Sequence, residues 1–338
     1  MKTLFICALS LLLVSMVSAA DTLDIYVLDV EGGKAVIFTT PENQTMLIDA
    51  GYPRPDDRDT NRIVEAAESL GIKEFDYIVS THYDADHAGN VPNLAVRIPG
   101  KVYVDHGEIL PTVNERRKKN YYEPYINFVT DKKRMIVKPG DEIPVKGVKI
   151  TVVSSGGKAI TMPLPGAGQS NSVFADTPRP NISDADDNAA SIGLLFEFGK
   201  FRMLDLADLL QPVEYDLVYP KNLIGKIDLF MVSHHGFKVS NSKILVHTIR
   251  PKVAIMNNGP RKGGEAEVFD ILASSPGFED LWQLHFALGA GKEKNRPEQF
   301  IANVESPCQA KMIKISAQKD GTFTVTNTRN DFSKTYKP

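Results

Sequence analysis

At residues 81–89 the chain carries the sequence Thr81-His82-Tyr83-Asp84-Ala85-Asp86-His87-Ala88-Gly89, which decides its fold and concentrates its chemistry. The stretch follows an apolar run at 77–80 that predicts a buried strand ending in a loop. Alternate residues of an extended segment face the same way, so His82, Asp84 and Asp86 can converge. Carboxylates and neutral imidazoles favour divalent metal ions, and gathering them without a cation is costly. The stretch therefore predicts a metal site; the alternative is a solvated acidic turn with two surface histidines.

The motif His82-x-Asp84-x-Asp86-His87 resembles the metal signature of the metallo-β-lactamase fold hydrolases, which usually carry His at the position of Asp84. Four further stretches match in the expected order. The first two are similar to the opening of the hydrolase module of competence DNA-uptake channel proteins. The third resembles the strand that ends in a metal-bridging Asp, and the fourth contains a His-His-Gly motif. They are Leu28 to Ala35, Met46 to Gly51, Met203 to Asp208 and Val232 to Gly236.

This resemblance, which covers residues 24 to 260, implies an α/β fold of the four-layer αββα sandwich type with two divalent metal ions. His82 and Asp84 would hold one ion, Asp86 and His87 would hold the second, and Asp208 would bridge them. The pair His234-His235 would supply a further ligand to the second ion, and the sequence leaves open which of the two binds. Asp86 is also the expected catalytic residue.

Two departures from the family pattern affect the expected metal. Asp84 places an anionic oxygen where the family has a neutral nitrogen, which makes the first site harder and less Lewis-acidic. This weakens the expected preference for zinc, which stays the first expectation, with manganese or iron as alternatives. The family's middle His is also missing, since His106 follows the motif too closely. The segment Asp187 to Ser191 resembles an Asn-x-x-Ser sequence of the competence-type members, so an oxygen ligand from it, such as Asn188, or a water is expected instead.

Four other residues have two open interpretations each. Asp49 ends a strand in Asp-Ala-Gly and is expected to orient a ligand histidine rather than only to form a turn. His106 and His285 could each approach the site, but we expect structural histidines. Lys262 lies in a glycine-rich loop and either belongs to a plain turn or contacts a phosphate or carboxylate of the substrate.

Residues 1–20 have the pattern of an export signal: Lys2, an apolar core and a small-residue cleavage site. They predict secretion to the periplasm or the medium, with residues 21–338 forming one hydrolase domain. Without this segment Cys308 is the only cysteine, so the mature chain has no internal disulfide, and a buried inert thiol is expected there. Residues 155–187 are rich in Gly, Pro, Ser, Asn and Asp and predict a loop insertion lying over the site.

Outside the insertion, hydrophobic periodicity predicts strands that alternate with helices. A helix over 61–70 closed by Gly71 and a second helix over 240–248 are predicted. Strands are predicted over 23–28, 35–39, 45–48, 77–80, 102–104, 148–153, 191–198, 201–206, 227–232 and 252–256.

The net charge of −3 in the full chain provides no overall basic field that would attract long nucleic acid. A local basic run, Arg116 to Lys119, stands beside Tyr121-Tyr122. Basic residues with aromatic neighbours can contact phosphates and stack on bases, but a solvated helix face is the commoner explanation.

A paired metal site can ionise a bridging water as nucleophile and clamp both oxygens of an ester during displacement. The sequence thus predicts a secreted metal-dependent hydrolase of the phosphodiesterase or nuclease kind. Its substrate would be a small-molecule ester or a short nucleic-acid ester. Lactone, β-lactam or other ester hydrolysis are alternatives in the same fold, and a non-catalytic secreted binding protein with one structural metal is an alternative of another class. No transmembrane channel and no stable protein partner are predicted.

Overall fold

Two large β-sheets packed face to face form the centre of the molecule. A computed structural model describes residues 21–182, 186–305 and 307–338. Within these residues each sheet has nine strands. The order is β18-β17-β16-β1-β2-β3-β4-β5-β6 in the first sheet and β15-β14-β13-β12-β11-β10-β8-β7 in the second, where β9 pairs with β8.

The strands and helices alternate as the periodicity predicts, with ends that differ by a few residues. The strands are β1 Leu23–Val27, β2 Val36–Thr39, β3 Thr45–Ile48, β4 Phe75–Val79, β5 Gly100–Asp105, β6 Arg134–Ile136, β7 Glu142–Ile143, β8 Lys149–Ser155, β9 Lys158–Ala159, β10 Gly193–Phe198, β11 Phe201–Asp205, β12 Leu229–Met231, β13 Val253–Met256, β14 Asp280–His285, β15 Ile301–Asn303, β16 Ile313–Ala317, β17 Phe323–Asn327 and β18 Ser333–Tyr336. The helices are α1 Arg58–Ser69, α2 Val91–Ala95, α3 Glu115–Arg117, α4 Glu123–Val129, α5 Gln211–Val218, α6 Lys243–Ile249 and α7 Ala266–Ala273.

Alternate side chains of each strand enter different cores, which gives four layers. In β11, Met203 belongs to the core between the two sheets, whereas Leu204 faces the outer core beneath α5, α6 and α7. In β4, Val79 faces the central core and Ile78 faces the core beneath α1, α2 and α4. Since a residue in a strand alternates faces with a period of two, this apolar pattern fixes both sheets. The predicted αββα sandwich is confirmed.

The parallel strands of both sheets end at one edge. Strands β3 to β6 run parallel in the first sheet, and β11 to β15 run parallel in the second. Loops that follow the carboxyl ends of neighbouring parallel strands lie side by side, and binding residues collect there. The stretch 81–89 follows β4 at this edge, and the segments after β3, β11 and β12 come next to it.

The segment predicted as an insertion over the site lies mainly elsewhere. The Leu164 N–H bonds to the Leu223 carbonyl at 2.9 Å, and Arg179 pairs with Asp216 at 2.7 Å, so this part packs outside the second sheet. Only its last residues reach the predicted site, where Asp187 accepts the Tyr83 N–H at 3.1 Å. The prediction failed because composition shows a loop but does not show which surface the loop follows.

Some features near the chain ends differ from expectation, and others lie outside the described residues. Strands β16 to β18, which the periodicity left unassigned, complete the first sheet. Of these, β16 pairs with β1, β17 pairs with β16, and β18 pairs with β17. Cys308, expected to be buried, is only half-buried. The export signal falls on residues 1–20, outside the described residues, so secretion stays a prediction, as does the division into domains. Among the described residues, no helix is long and apolar enough to cross a membrane.

A buried carboxyl group on α5 ties the second sheet's loops together. Glu214 is fully buried and accepts the backbone N–H groups of Asn241 and Ser242 at 2.7 and 2.8 Å. Ser242 in turn caps α6 by accepting the Leu245 N–H, which is why the helix begins later than its apolar pattern predicts. Burial raises the pKa of Glu214 to about 7, against the lowering effect of these hydrogen bonds.

We expect Phe196→Ala to destabilise the fold, because the Phe196 ring stacks on Phe38 of the opposite sheet with centroids 4.7 Å apart. Loss of a fully buried phenylalanine costs about 3–5 kcal/mol through lost burial and the cavity left behind. Urea unfolding monitored by circular dichroism measures this. Met162→Ala, at a side chain 74% exposed, is the control and should change the free energy of unfolding by about 0.5 kcal/mol or less. Equal effects of the two substitutions would contradict the packing of the sheets.

Glu214 should make stability fall as pH rises. Its carboxyl binds a proton more tightly in the folded chain, with a pKa of about 7 against 4.5 when exposed. Between these values the folded state holds more protons, so the free energy of unfolding decreases with increasing pH. The unfolding free energy of the wild type minus that of Glu214→Gln should therefore decrease by about 2–3 kcal/mol from pH 5 to pH 8. Urea titrations at both values test this, and a constant difference would refute it.

Candidate metal centre

Four loops from both sheets bring the candidate site together. Asp49 follows β3, the motif 82–87 follows β4, Asp208 follows β11, and the pair His234-His235 follows β12. Because these strands end at the same edge, side chains more than a hundred residues apart in sequence meet there. Of the candidate residues, His82, Asp84, Asp86, His87, Asp208 and His235 are buried.

The centre of the site is a group of four side chains, Asp86, His87, Asp208 and His235, each of which offers one ligand atom within 4.8 Å of the others. His87 Nε2 lies 3.1 Å from Asp208 Oδ2 and 3.3 Å from both Asp86 Oδ2 and His235 Nε2. His235 Nε2 lies 3.1 Å from Asp86 Oδ2 and 3.3 Å from Asp208 Oδ2. Two imidazole nitrogens and two carboxylate oxygens facing one point form a donor set that divalent ions bind.

Beside this group, His82 and Asp84 present donor atoms without partners. His82 Nε2 and Asp84 Oδ1 are both buried, and neither has a hydrogen-bond partner within the described ranges. His82 Nε2 lies 3.8 Å from the other oxygen of Asp84, and the rings of His82 and His87 are 4.1 Å apart. Buried polar atoms are rarely left unpaired, so these two point to a missing ligand. A metal ion fits this requirement.

The pKa values of the site reflect its burial and its excess of carboxylates. Burial, with the nearby charge of His87, lowers the pKa of His82 to about 3 and keeps the imidazole neutral. Burial and the charge of Asp86 raise the pKa of Asp84 to about 8. Burial opposes protonation of His87, but Asp208, Asp86 and Asp49 outweigh it and hold the His87 pKa well above its usual value. A site with this balance attracts cations.

Hydrogen bonds from neighbouring residues orient each imidazole. His87 Nδ1 lies 2.8 Å from Asp49 Oδ2, and Asp49 also accepts the N–H and the hydroxyl of Thr81 at 2.8 Å each. When Nδ1–H donates to Asp49, the lone pair of Nε2 faces the other candidate ligands. His235 Nδ1 faces the Asn257 carbonyl at 3.2 Å in the same way. Asp49 thus contacts the His87 ring nitrogen that faces away from Asp208.

His82 is oriented by the hydroxyl groups of Thr81 and Ser191. Its Nδ1 lies 3.2 Å from Thr81 Oγ1 and 3.4 Å from Ser191 Oγ, and Ser191 also accepts the Asp208 N–H at 3.2 Å. The Ser of the Asn-x-x-Ser sequence thus contacts two candidate ligands from behind. Asn188 of the same sequence is buried in the short turn that leads into Ser191.

The backbone at the candidate ligands is held in left-handed conformations. The φ angles of Asp49, Ala207, His234 and His235 are +60°, +50°, +52° and +52°. Left-handed geometry in a residue other than glycine is costly and collects at functional sites. A glycine at position 207 would adopt this conformation freely, so Ala207 carries strain that a glycine would avoid. Asn241 holds the histidine turn by accepting the Ser233 N–H at 2.9 Å and donating to the Ser233 carbonyl at 2.8 Å.

Of the remaining candidate histidines, His234 lies at the edge of the four-residue group, whereas His106 and His285 pair with other carboxylates. His234 Nε2 lies 3.6 Å from Asp208 Oδ2, farther than His235, and its Nδ1 faces Ser240. His106 pairs with Asp187 at 2.7 Å. His285 pairs with Asp29 at 2.7 Å in another group that includes Cys308. The Arg62 guanidinium contacts both Asp29 and the Cys308 sulfur, so a cation already occupies that place.

A polar cavity of about 460 Å³ opens beside the four-residue group. Lys262 Nζ bonds to Asp86 and to the Tyr52 hydroxyl, and Arg117 lies 3.3 Å from Asp84. The arginine contact was not predicted, because only the fold brings the basic run to the motif. The cavity is lined by Tyr52, Ala85, Asp86, Asn114, Arg116, Arg117, Asn120, Tyr121 and Lys262.

Comparisons with solved structures give weak similarities. The metallo-beta-lactamase fold protein YhfI from Bacillus subtilis has 11% identity and a TM-score of 0.47, covering 78% of this chain and 96% of that one. CmlA, a diiron beta-hydroxylase from Streptomyces venezuelae, has 12% identity and a TM-score of 0.42, covering 69% of this chain and 44% of that one.

Sequence relatives match over about half of the chain. Recombination protein 2 of Haemophilus influenzae is 27% identical over 182 residues, which are 54% of this chain and 17% of the relative. ComE operon protein 3 of Bacillus subtilis is 26% identical over 192 residues, 56% of this chain and 20% of the relative. The chain therefore corresponds to a fifth or less of the length of these proteins. Residues 28–176, which include the motif at 82–87, match the model of the metallo-beta-lactamase superfamily. The chain carries a metallo-beta-lactamase superfamily domain.

Proposed function

We propose that this chain is a metal-dependent hydrolase of phosphodiester bonds. One observation carries the proposal: Asp86, His87, Asp208 and His235 converge on one point, and unpaired buried donor atoms of His82 and Asp84 lie beside them. Zinc fits the imidazole nitrogens, whereas the extra carboxylates also suit manganese or iron. Asp86, His87, Asp208 and His235 would hold one ion, and His82 with Asp84, sharing Asp208, would hold the other.

The metal ions, when bound, would stabilise charge on the ester and lower the pKa of a water held between them. The chain's own residues supply the rest. Asp49 and Asn257 fix the histidine rings so that their Nε2 atoms face the site. Arg116, Arg117 and Lys262 line the cavity and give it positive charge that attracts an anionic ester. Positioned cations of this kind stabilise charge on the non-bridging oxygens of a phosphoryl group.

Phosphodiesters suit this cavity better than neutral esters. Three cationic side chains line it against the single carboxylate of Asp86. A neutral lactone gains nothing from such a field, while a phosphodiester keeps one negative charge near neutral pH. β-Lactams are disfavoured because Asp84 replaces a histidine and no histidine takes the family's middle position in the described site. The number of metal ions bound to each chain distinguishes the hydrolase from the alternative, a non-catalytic binding protein of the same fold.

Metal analysis should find close to two ions in each wild-type chain after zinc loading and gel filtration. Asp208→Asn should lose at least one of them, because Asp208 Oδ2 is within 3.6 Å of His87, His234 and His235. A chelator should also lower the Tm of the wild type more than that of the variant, since bound ions stabilise only the folded chain. His247→Gln is the control, because this half-exposed histidine contacts Ile271 and Ser274 instead. One ion or none in the wild type would support the binding protein.

Hydrolysis should be detected first with phosphodiesters in a panel that also contains a phosphomonoester, a lactone and a β-lactam, each with zinc and with manganese. Asp86→Ala should lower kcat/KM for the phosphodiester by about a hundredfold or more, since even residues behind a metal ligand are worth about 10- to 100-fold. His247→Gln should retain full activity. The proposal fails if loaded protein cleaves no phosphodiester, or if Asp86→Ala and the wild type act equally on every ester.

A further inference from the structure

A basic helix with a widened turn forms one wall of the cavity beside the candidate site. It consists of α3, a π-type turn at Lys118–Tyr122 and α4, and we call residues 115–129 the basic helix. In the turn the Glu123 N–H bonds to the Lys118 carbonyl five residues back. Such π turns are rare inside helices and collect at functional sites. Here the turn lies between Arg117, which reaches Asp84, and Tyr125, which is buried in the outer core.

The basic helix provides both a charge and a ring to the cavity. Arg116 and Tyr121 are five residues apart and both line it, together with Asp86. Arg117 is paired with Asp84 and Asp186, and Lys262 is paired with Asp86. Arg116 is exposed and has no ion pair with any described residue. It is therefore the lining cation whose charge is available to a ligand.

A second aromatic ring that lines the cavity, Tyr52, lies beside a cation. The Lys262 ammonium donates to the Tyr52 hydroxyl at 3.0 Å and lies 5.3 Å from the centre of its ring. Arg54 lies 5.0 Å from the same ring on the outside. Tyr52 is thus held in place by its neighbours, and both Tyr52 and Tyr121 are half-exposed where they line the cavity. Half-exposed rings facing a positive groove are what proteins use to stack on unpaired bases.

We propose that this cavity binds one nucleoside monophosphate unit of the substrate, with Arg116 contacting its phosphate and Tyr121 stacking on its base. This assignment rests on the proposed function, because the cavity is continuous with Asp86. A volume of about 460 Å³ is in the range of small-molecule pockets, about 300–1,000 Å³, so it admits a single nucleotide but not a base pair with both of its backbones. The unit comes from a short single strand or a small dinucleotide.

Equilibrium binding to the zinc-loaded full chain tests the assignment separately from hydrolysis, because a monophosphate has no diester bond to cleave. The probes are a nucleoside 5′-monophosphate, its nucleoside and inorganic phosphate, measured by isothermal titration calorimetry. The wild type should bind the monophosphate at least about tenfold more tightly than either part. Tyr121→Ala should weaken the monophosphate and the nucleoside about tenfold and leave phosphate within twofold. Tyr121→Phe should retain wild-type affinity, which shows that a ring is required.

Charge is tested with two variants of the same helix. Arg116→Gln should weaken the monophosphate and phosphate about fivefold and leave the nucleoside unchanged. Lys119→Gln is the matched control, since Lys119 is exposed on the same helix but does not line the cavity, and it should stay within twofold of wild type. Equal losses in Arg116→Gln and Lys119→Gln would overturn the proposal, as would equal wild-type affinities for the monophosphate and phosphate. Those results would leave phosphodiester hydrolysis standing, whereas an inactive enzyme with intact nucleotide binding would contradict only the proposed function.

Discussion

The excess of buried negative charge at the sheet edge is the constraint on which the structure depends. Asp49, Asp84, Asp86 and Asp208 are all buried, while the cations that reach them directly are Lys262 and Arg117. Unpaired carboxylates cannot stay ionised in a protein interior without several kcal/mol of cost. The chain meets part of this cost with imidazoles, whose ring nitrogens lie 3.1–3.6 Å from the Asp208 carboxylate. A divalent cation bound by Asp86, His87, Asp208 and His235 would offset the rest of this cost, so we expect metal binding to stabilise this edge.

The same constraint explains why the backbone is strained where it is. To bring donor atoms from both sheets to one point, Asp49, Ala207, His234 and His235 adopt left-handed conformations. Such conformations persist only when their surroundings fix them. Thr81 fixes the Asp49 carboxylate, and Asn241, itself bonded to the buried Glu214, fixes the histidine turn. Strain near the site is therefore held by hydrogen bonds that extend into the outer core, beyond any residue that could touch a metal.

The sequence predicted those parts of the molecule that local pattern determines. Strands such as β4 and β11 and their faces follow from a period of two, and the motif at 82–87 follows from the chemistry of its residue types. What local pattern cannot show is contact over long separation. Strands β16 to β18 join the first sheet beside β1, almost 290 residues away. The distances of His234 and His235 from Asp208 depend on a backbone turn, and the approach of Arg117 to Asp84 depends on how the basic helix packs.

A buried ion pair between the two sheets links the two halves of the chain. Lys34, next to β2, forms a buried ion pair with Asp205 at the end of β11, and the Lys34 N–H also bonds to the Asp86 carbonyl. Asp205 accepts the Ala207 N–H at 3.0 Å, just before Asp208. One lysine thus links the backbone of the metal motif in the first half to the strained turn of the second. Because removing either charge would leave the other buried and unpaired, this pair keeps the two donor groups in register whether or not an ion is bound.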